Sequence, residues 1–103
     1  KAPEDENYIQ LRLAKVSAPQ LEEEAYTISV TPNKILITAN TPHGIYNGLQ
    51  TLLQLMRDGS LVNTCEIHDW PAFSWRGYMV DVGRNFQSMD LLRQQIDVLG
   101  KYK

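Results

Sequence analysis

At 103 residues the chain has room for one domain, or for one domain and the start of another. It is 43% hydrophobic and 21% charged, with a net charge of −2. That is an ordinary globular composition, its charge argues weakly against nucleic acid, which favours clustered Lys and Arg, and no apolar run approaches the roughly 20 residues of a membrane span. A single cysteine, Cys65, excludes an intrachain disulfide and a Cys-rich metal site, and leaves a core or strand-end thiol as the expected role. The chain opens on Lys1 rather than Met, and the start is read as internal to a longer precursor.

Tyr8 to Leu13 alternates, with Ile9, Leu11 and Leu13 on one face and Gln10 and Arg12 on the other, which predicts a half-buried strand. Ser17 to Glu24 predicts a loop whose acidic run, Glu22-Glu23-Glu24, is a solvated edge. Tyr26, Ile28 and Val30 then alternate with Thr27, Ser29 and Thr31. Pro32-Asn33 supplies a tight turn, because Pro fixes φ and Asn tolerates unusual φ, and Ile35, Ile37 and Ala39 resume the alternation. This pattern predicts a β-hairpin.

Thr41 is the predicted N-cap of a helix, with Pro42 at the first helical position, where a missing N–H costs nothing. Ile45, Leu49, Leu52, Leu53 and Met56 fall on one helix face, with Asn47, Gln50, Gln54 and Arg57 elsewhere on the wheel. Gly59 is the predicted stop. Leu61 to Ile67 predicts a return strand, and His68 to Ser74, with Asp69-Trp70-Pro71, a linker-like joint. Arg76 to Val82 predicts a buried strand, and Ser88 caps a final helix with apolar Leu91, Leu92, Ile96, Leu99 and Tyr102.

The predicted class is therefore α+β. An antiparallel sheet covered by one helix occupies residues 1–68, a joint 69–75, and a single β-α unit 76–103. One such unit does not bury its own strand, and its natural setting is a repeated β/α array.

The catalytic inventory is thin: no Gly-rich phosphate loop, no metal-binding His pair and no nucleophile elbow. His43 and His68 are isolated and read as surface or capping residues. Arg76 stands in step with Tyr78, Val80 and Val82, and burying a guanidinium is costly unless its donors are met. It either pairs with a structural carboxylate or offers its planar fork to a ligand with several oxygens, and the residues alone favour the pair. Asp81 and Arg84, three apart, read as an ion pair or loop anchor. Trp70 and Trp75 either stack on sugar rings or pack the joint, and packing is the favoured reading.

Two runs carry a resemblance. A-Y-T-I-S-V-T-P-N-K-I-L-I-T-A-N-T-P-H-G-I-Y-N-G-L-Q-T-L-L-Q-L, from Ala25, resembles the small N-terminal domain of the β-N-acetylhexosaminidases of glycoside hydrolase family 20. I-H-D-W-P-A-F-S-W-R-G-Y-M-V-D-V-G-R-N-F resembles the start of that family's catalytic (β/α)₈ barrel. Glucuronidases and O-linked N-acetylglucosamine hydrolases share a similar small domain, and Arg76-Gly77 followed by Asp81 and Arg84 favours the hexosaminidases.

The resemblance implies hydrolysis of terminal β-linked N-acetylglucosamine or N-acetylgalactosamine, with the substrate's own 2-acetamido oxygen as nucleophile. It implies that Arg76 binds sugar hydroxyls, although barrel sites gather at the C-terminal ends of strands and Arg76 starts its strand. The family's adjacent Asp-Glu pair has no counterpart here, since Glu4-Asp5-Glu6 precedes the hairpin, so the chain by itself is expected to be inactive. No cofactor and no metal are expected. The implied partners are N-acetylhexosamine-terminated glycans, and the implied compartment is periplasmic or extracellular. The alternative is a non-catalytic module for carbohydrate binding or interdomain support, resting on Trp70, Trp75 and the sheet face. The uncovered strand and the stripe on the last helix also predict self-association.

Overall fold

The structure is a computed structural model, described over residues 7–56 and 61–103. The elements are β1 (Tyr8–Leu13), β2 (Tyr26–Thr31), β3 (Lys34–Ala39), α1 (Pro42–Leu55), β4 (Cys65–Asp69) and α2 (Met89–Tyr102). The chain divides into two compact units, Lys1–Ala72 and Phe73–Lys103.

In the first unit a four-stranded sheet has the order β1-β3-β2-β4. β2 and β3 form the predicted hairpin around Pro32-Asn33, with Ile28 opposite Ile37 and Val30 opposite Ile35. β4 adds antiparallel to β2, and β1 adds parallel to β3. Side-chain alternation then places Tyr26, Ile28, Val30, Ile35, Ile37, Ala39, Cys65 and Ile67 on one face, and α1 lies across it. Tyr26, Ile28, Val30, Ile37, Ala39 and Leu52 are its buried centre, with Ile45, Leu49, Met56, Val62 and Cys65 packed around them. Cys65 is thus a partly buried thiol at a strand start.

α1 begins as the sequence dictates. The Thr41 hydroxyl accepts from the Gly44 N–H at 3.2 Å, and Pro42 follows it into the first turn. Gly44 and Gly48 set how closely the helix sits. A Cβ at Gly44 would lie 2.7 Å from the Ala25 carbonyl oxygen, and one at Gly48 would lie 2.6 Å from Ile37 Cγ2. The helix ends at Leu55, with the Met56 N–H bonded to the Leu52 carbonyl at 3.1 Å. The predicted stop at Gly59 and the predicted wheel position of Arg57 lie outside the described residues.

Several expectations are corrected. Ile9, Leu11 and Leu13 share the α1 side of the sheet, yet they are 52%, 50% and 59% exposed, because α1 lies mainly over β2 and β3 and covers the edge strand only in part. Leu53 faces solvent at 62% exposure, whereas Asn47 is buried. The helix turns its glycine edge to the sheet and so carries Asn47 inward and Leu53 outward. The return strand runs over Cys65–Asp69 rather than from Leu61.

In the second unit α2 forms where predicted, with the Ser88 hydroxyl accepting from the Leu91 N–H at 3.2 Å. Asp90 in its first turn and Lys101 in its last complement the helix dipole. Residues 76–82 pair with no strand among the described residues, and Tyr78 and Val82 are 67% and 55% exposed. The expected buried strand is therefore absent in this unit. A strand of that type needs ladder partners on both edges and cover on both faces, and Phe73–Lys103 supplies neither. α2 likewise buries none of its residues.

Candidate functional site

The residues singled out by sequence fall on two parts of the chain. Asp69 and Trp70 close the first unit, and Trp75, Arg76, Asp81 and Arg84 open the second. Arg76 is exposed. Its Nη1 donates to the Phe73 carbonyl at 2.6 Å, and its Nε to the Lys103 carbonyl at 3.1 Å. The guanidinium thus meets two main-chain oxygens of its own unit.

Asp81 organises the turn that follows. Its Oδ1 accepts from the N–H groups of Gly83 (2.9 Å) and Arg84 (3.0 Å), and its Oδ2 from Arg84 Nε at 2.5 Å. The Arg84 backbone N–H first, then the Arg84 guanidinium and the Gly83 N–H, hold the Asp81 carboxyl below its ordinary pKa, since all three favour the charged form. The structural reading of this pair holds: the carboxylate shapes a turn.

Trp70 is half-buried, with its ring edge-on to His68 at 5.2 Å between centroids. Trp75 is 90% exposed and packs no joint within its unit. His43 lies 3.6 Å from the Glu24 carboxylate on the surface. Among the described residues no group of three or more His, Cys, Asp or Glu side chains could hold a metal ion. A depression of about 310 Å³ at one end of the sheet is lined chiefly by Ile9, Val30, Ile35, Met56 and Val62, and contains none of the residues singled out.

The sequence did not reveal the polar cluster at the end of β4. The Tyr26 hydroxyl donates to Asp69 Oδ2 at 2.5 Å and lies 2.6 Å from Thr51 Oγ1, while Asp69 Oδ1 accepts from the Trp70 N–H at 3.0 Å. The available signal was alternation: Tyr26 and Asp69 are register partners on the core face, so a carboxylate there requires a donor.

Comparison with known proteins gives two family matches in order along the chain. Residues 1–70 match the model described as glycosyl hydrolase family 20, domain 2, and residues 73–103 match the model of that family's catalytic domain. The break between them coincides with the division between Ala72 and Phe73. A beta-hexosaminidase of Porphyromonas gingivalis is 35% identical over 97 residues, covering 84% of this chain and 12% of the relative. A beta-hexosaminidase of Vibrio furnissii is 38% identical over 88 residues, covering 82% of this chain and 14% of the relative. Among solved structures, a Flavobacterium johnsoniae chitobiase superimposes with a TM-score of 0.76 at 36% identity, over 90% of this chain and 15% of that one. The Streptomyces plicatus N-acetyl-β-hexosaminidase, in complex with thio-NAglucal, gives 0.74 at 34% identity over 91% and 20%. The chain thus spans only a small fraction of the length of the relatives it matches.

Proposed function

The chain belongs to glycosyl hydrolase family 20, and on that premise we propose that it is the small domain and the opening of the catalytic domain of an exo-β-N-acetylhexosaminidase. The observation that carries this reading is the order of the two family matches and their meeting at the boundary between the two units. The proposed reaction removes a terminal non-reducing N-acetylglucosamine or N-acetylgalactosamine. The substrate's acetamido oxygen attacks the anomeric carbon, one carboxylic acid protonates the leaving oxygen, and water then opens the cyclic intermediate with overall retention.

In this scheme Arg76 binds hydroxyls of the terminal sugar. Support comes from its place in the matched catalytic segment. The adjacent acidic pair has no counterpart in the matched catalytic segment, residues 73–103, and Asp5-Glu6 lies in the segment matched to the small domain, so the 103-residue chain by itself is proposed to be inactive. The periplasm or the extracellular space is the proposed compartment.

The test is product stereochemistry on the intact protein. Proton NMR of the first-formed sugar should show the β anomer. A substrate with a 2-hydroxyl in place of the acetamido group should be inert, because it lacks the internal nucleophile. An α product, or turnover of the 2-hydroxyl substrate, overturns the mechanism.

A further inference from the structure

The connection from Ala14 to Ala25 has no helix or strand of its own, yet it is held at several points. Loops of this length without secondary structure are generally mobile or functional. Asn40, at the end of β3, accepts from the Val16 N–H at 2.8 Å and donates to the carbonyls of Val16 and Glu22, both at 2.7 Å. Thr41 donates to the Glu23 carbonyl at 2.5 Å, and Asn47 to the Glu24 carbonyl at 3.3 Å. Val16 itself is buried. Side chains from the start of α1 and the residues just before it therefore fix the loop's main chain.

The loop also carries strain. Leu21 has φ of 50°, a left-handed conformation that is unfavourable for a non-glycine residue. Such a residue persists only where the surroundings over-determine it, as the bonds on either side do here. Its neighbour Gln20 is the residue so presented. Gln20 Nε2 donates to the Pro71 carbonyl at 3.2 Å and to the Ala72 carbonyl at 2.8 Å. Pro71 has no N–H and does not extend the β4 ladder, and the side-chain bonds from Gln20 hold this segment from outside the sheet.

We propose that residues 14–25 form a strap whose purpose is to present Gln20, and that Gln20 is a positioning residue that keeps Trp70, Pro71 and Ala72 rigid with the sheet. The Tyr26–Asp69 bond is the first anchor of this exit segment and Gln20 the second. The inference rests on no assignment of activity, and it fails or survives independently of the glycosidase reading.

Backbone ¹⁵N relaxation on the 103-residue chain tests it. In the unsubstituted chain the amides of Trp70 and Ala72 should be as ordered as β4, with order parameters of about 0.85. Gln20→Ala should drop Ala72 below about 0.6, leaving β2 and β3 unchanged. Gln20→Glu keeps the shape and replaces the donor by an acceptor, and should loosen Ala72 as much. Thermal melts of both variants report whether the sheet stays folded, as exposure of Gln20 leads one to expect. Three results overturn the proposal: Ala72 equally ordered with and without Gln20, Ala72 mobile in the unsubstituted chain, or Gln20→Glu leaving order intact.

Discussion

Tyr26 and Asp69 face each other across β2 and β4 as register partners, and the tyrosine hydroxyl donates to the carboxylate at 2.5 Å beneath the sheet's covering helix. The same hydroxyl meets Thr51 on α1, so one oxygen ties two strands and the helix together. A hydrogen bond to a charged group contributes about 1.5–3 kcal/mol. Tyr26→Phe should therefore lower the unfolding free energy by about 2 kcal/mol. In urea this appears as a lower midpoint with an unchanged slope. A midpoint equal to that of the parent chain would show that the cluster contributes nothing.

Gly48→Ala places a methyl group 2.6 Å from Ile37 Cγ2 and 3.2 Å from the Tyr26 ring. Alanine gains about 1 kcal/mol of helix propensity, while overpacking a fitted interface costs about 1–3 kcal/mol. The steric term should win, because the contact is with a fully buried strand residue that has nowhere to shift. Thermal unfolding should show a lower Tm. A raised Tm would mean that α1 rides further from the sheet than the structure places it.

The Asp81 carboxyl should titrate below its ordinary value in the folded chain, as followed by carbon NMR. Because the folded pKa lies below the unfolded one, the turn's contribution is present above the unfolded pKa and is lost as pH falls through the folded value. Arg84→Gln should move the titration upward only in part, since the backbone N–H groups of Arg84 and Gly83 remain. A return all the way to the ordinary value would assign the effect to the guanidinium alone.

Leu91, Ile96, Leu99 and Tyr102 on α2 are 41–79% exposed, and Met79 and Phe86 about 90%. Exposed apolar side chains in this number favour association. Light scattering on the 103-residue chain should show dimers or larger species, and Ile96→Asp should shift them toward monomer. A clean monomer at high concentration contradicts the expectation.

Much of the first unit was legible in the sequence. Period-two alternation fixed the hairpin and its register at Pro32-Asn33, and Thr41-Pro42 and Ser88 marked both helix starts, because these signals act over a few residues. What was not legible depends on distant chain. The inward side of α1 is set by where Gly44 and Gly48 meet β2 and β3, so Asn47 went in and Leu53 went out against the hydrophobic wheel. The run from Arg76 to Val82 has the composition of a buried strand, but composition does not supply the neighbouring strands. Arg76 stands out in the sequence by its awkwardness on an apolar run, and the structure places it exposed on main-chain acceptors. Gln20 carried no such mark, since an exposed glutamine in a polar loop is unremarkable until the carbonyls of Pro71 and Ala72 are seen beside it.

Arg76→Ala in the intact protein should raise KM and cut kcat/KM by about ten- to a hundredfold, the worth of a charged hydrogen-bonding group lost from a bound sugar. Unchanged kinetics would leave Arg76 as a local main-chain brace between Phe73 and Lys103.

The most direct test of the central claim compares two lengths of chain on chromogenic β-linked N-acetylglucosaminide and N-acetylgalactosaminide. The account predicts hydrolysis of at least one by the intact protein and none by the 103-residue chain. Failure of the intact, folded protein on both substrates, or turnover by the 103-residue chain alone, would contradict it.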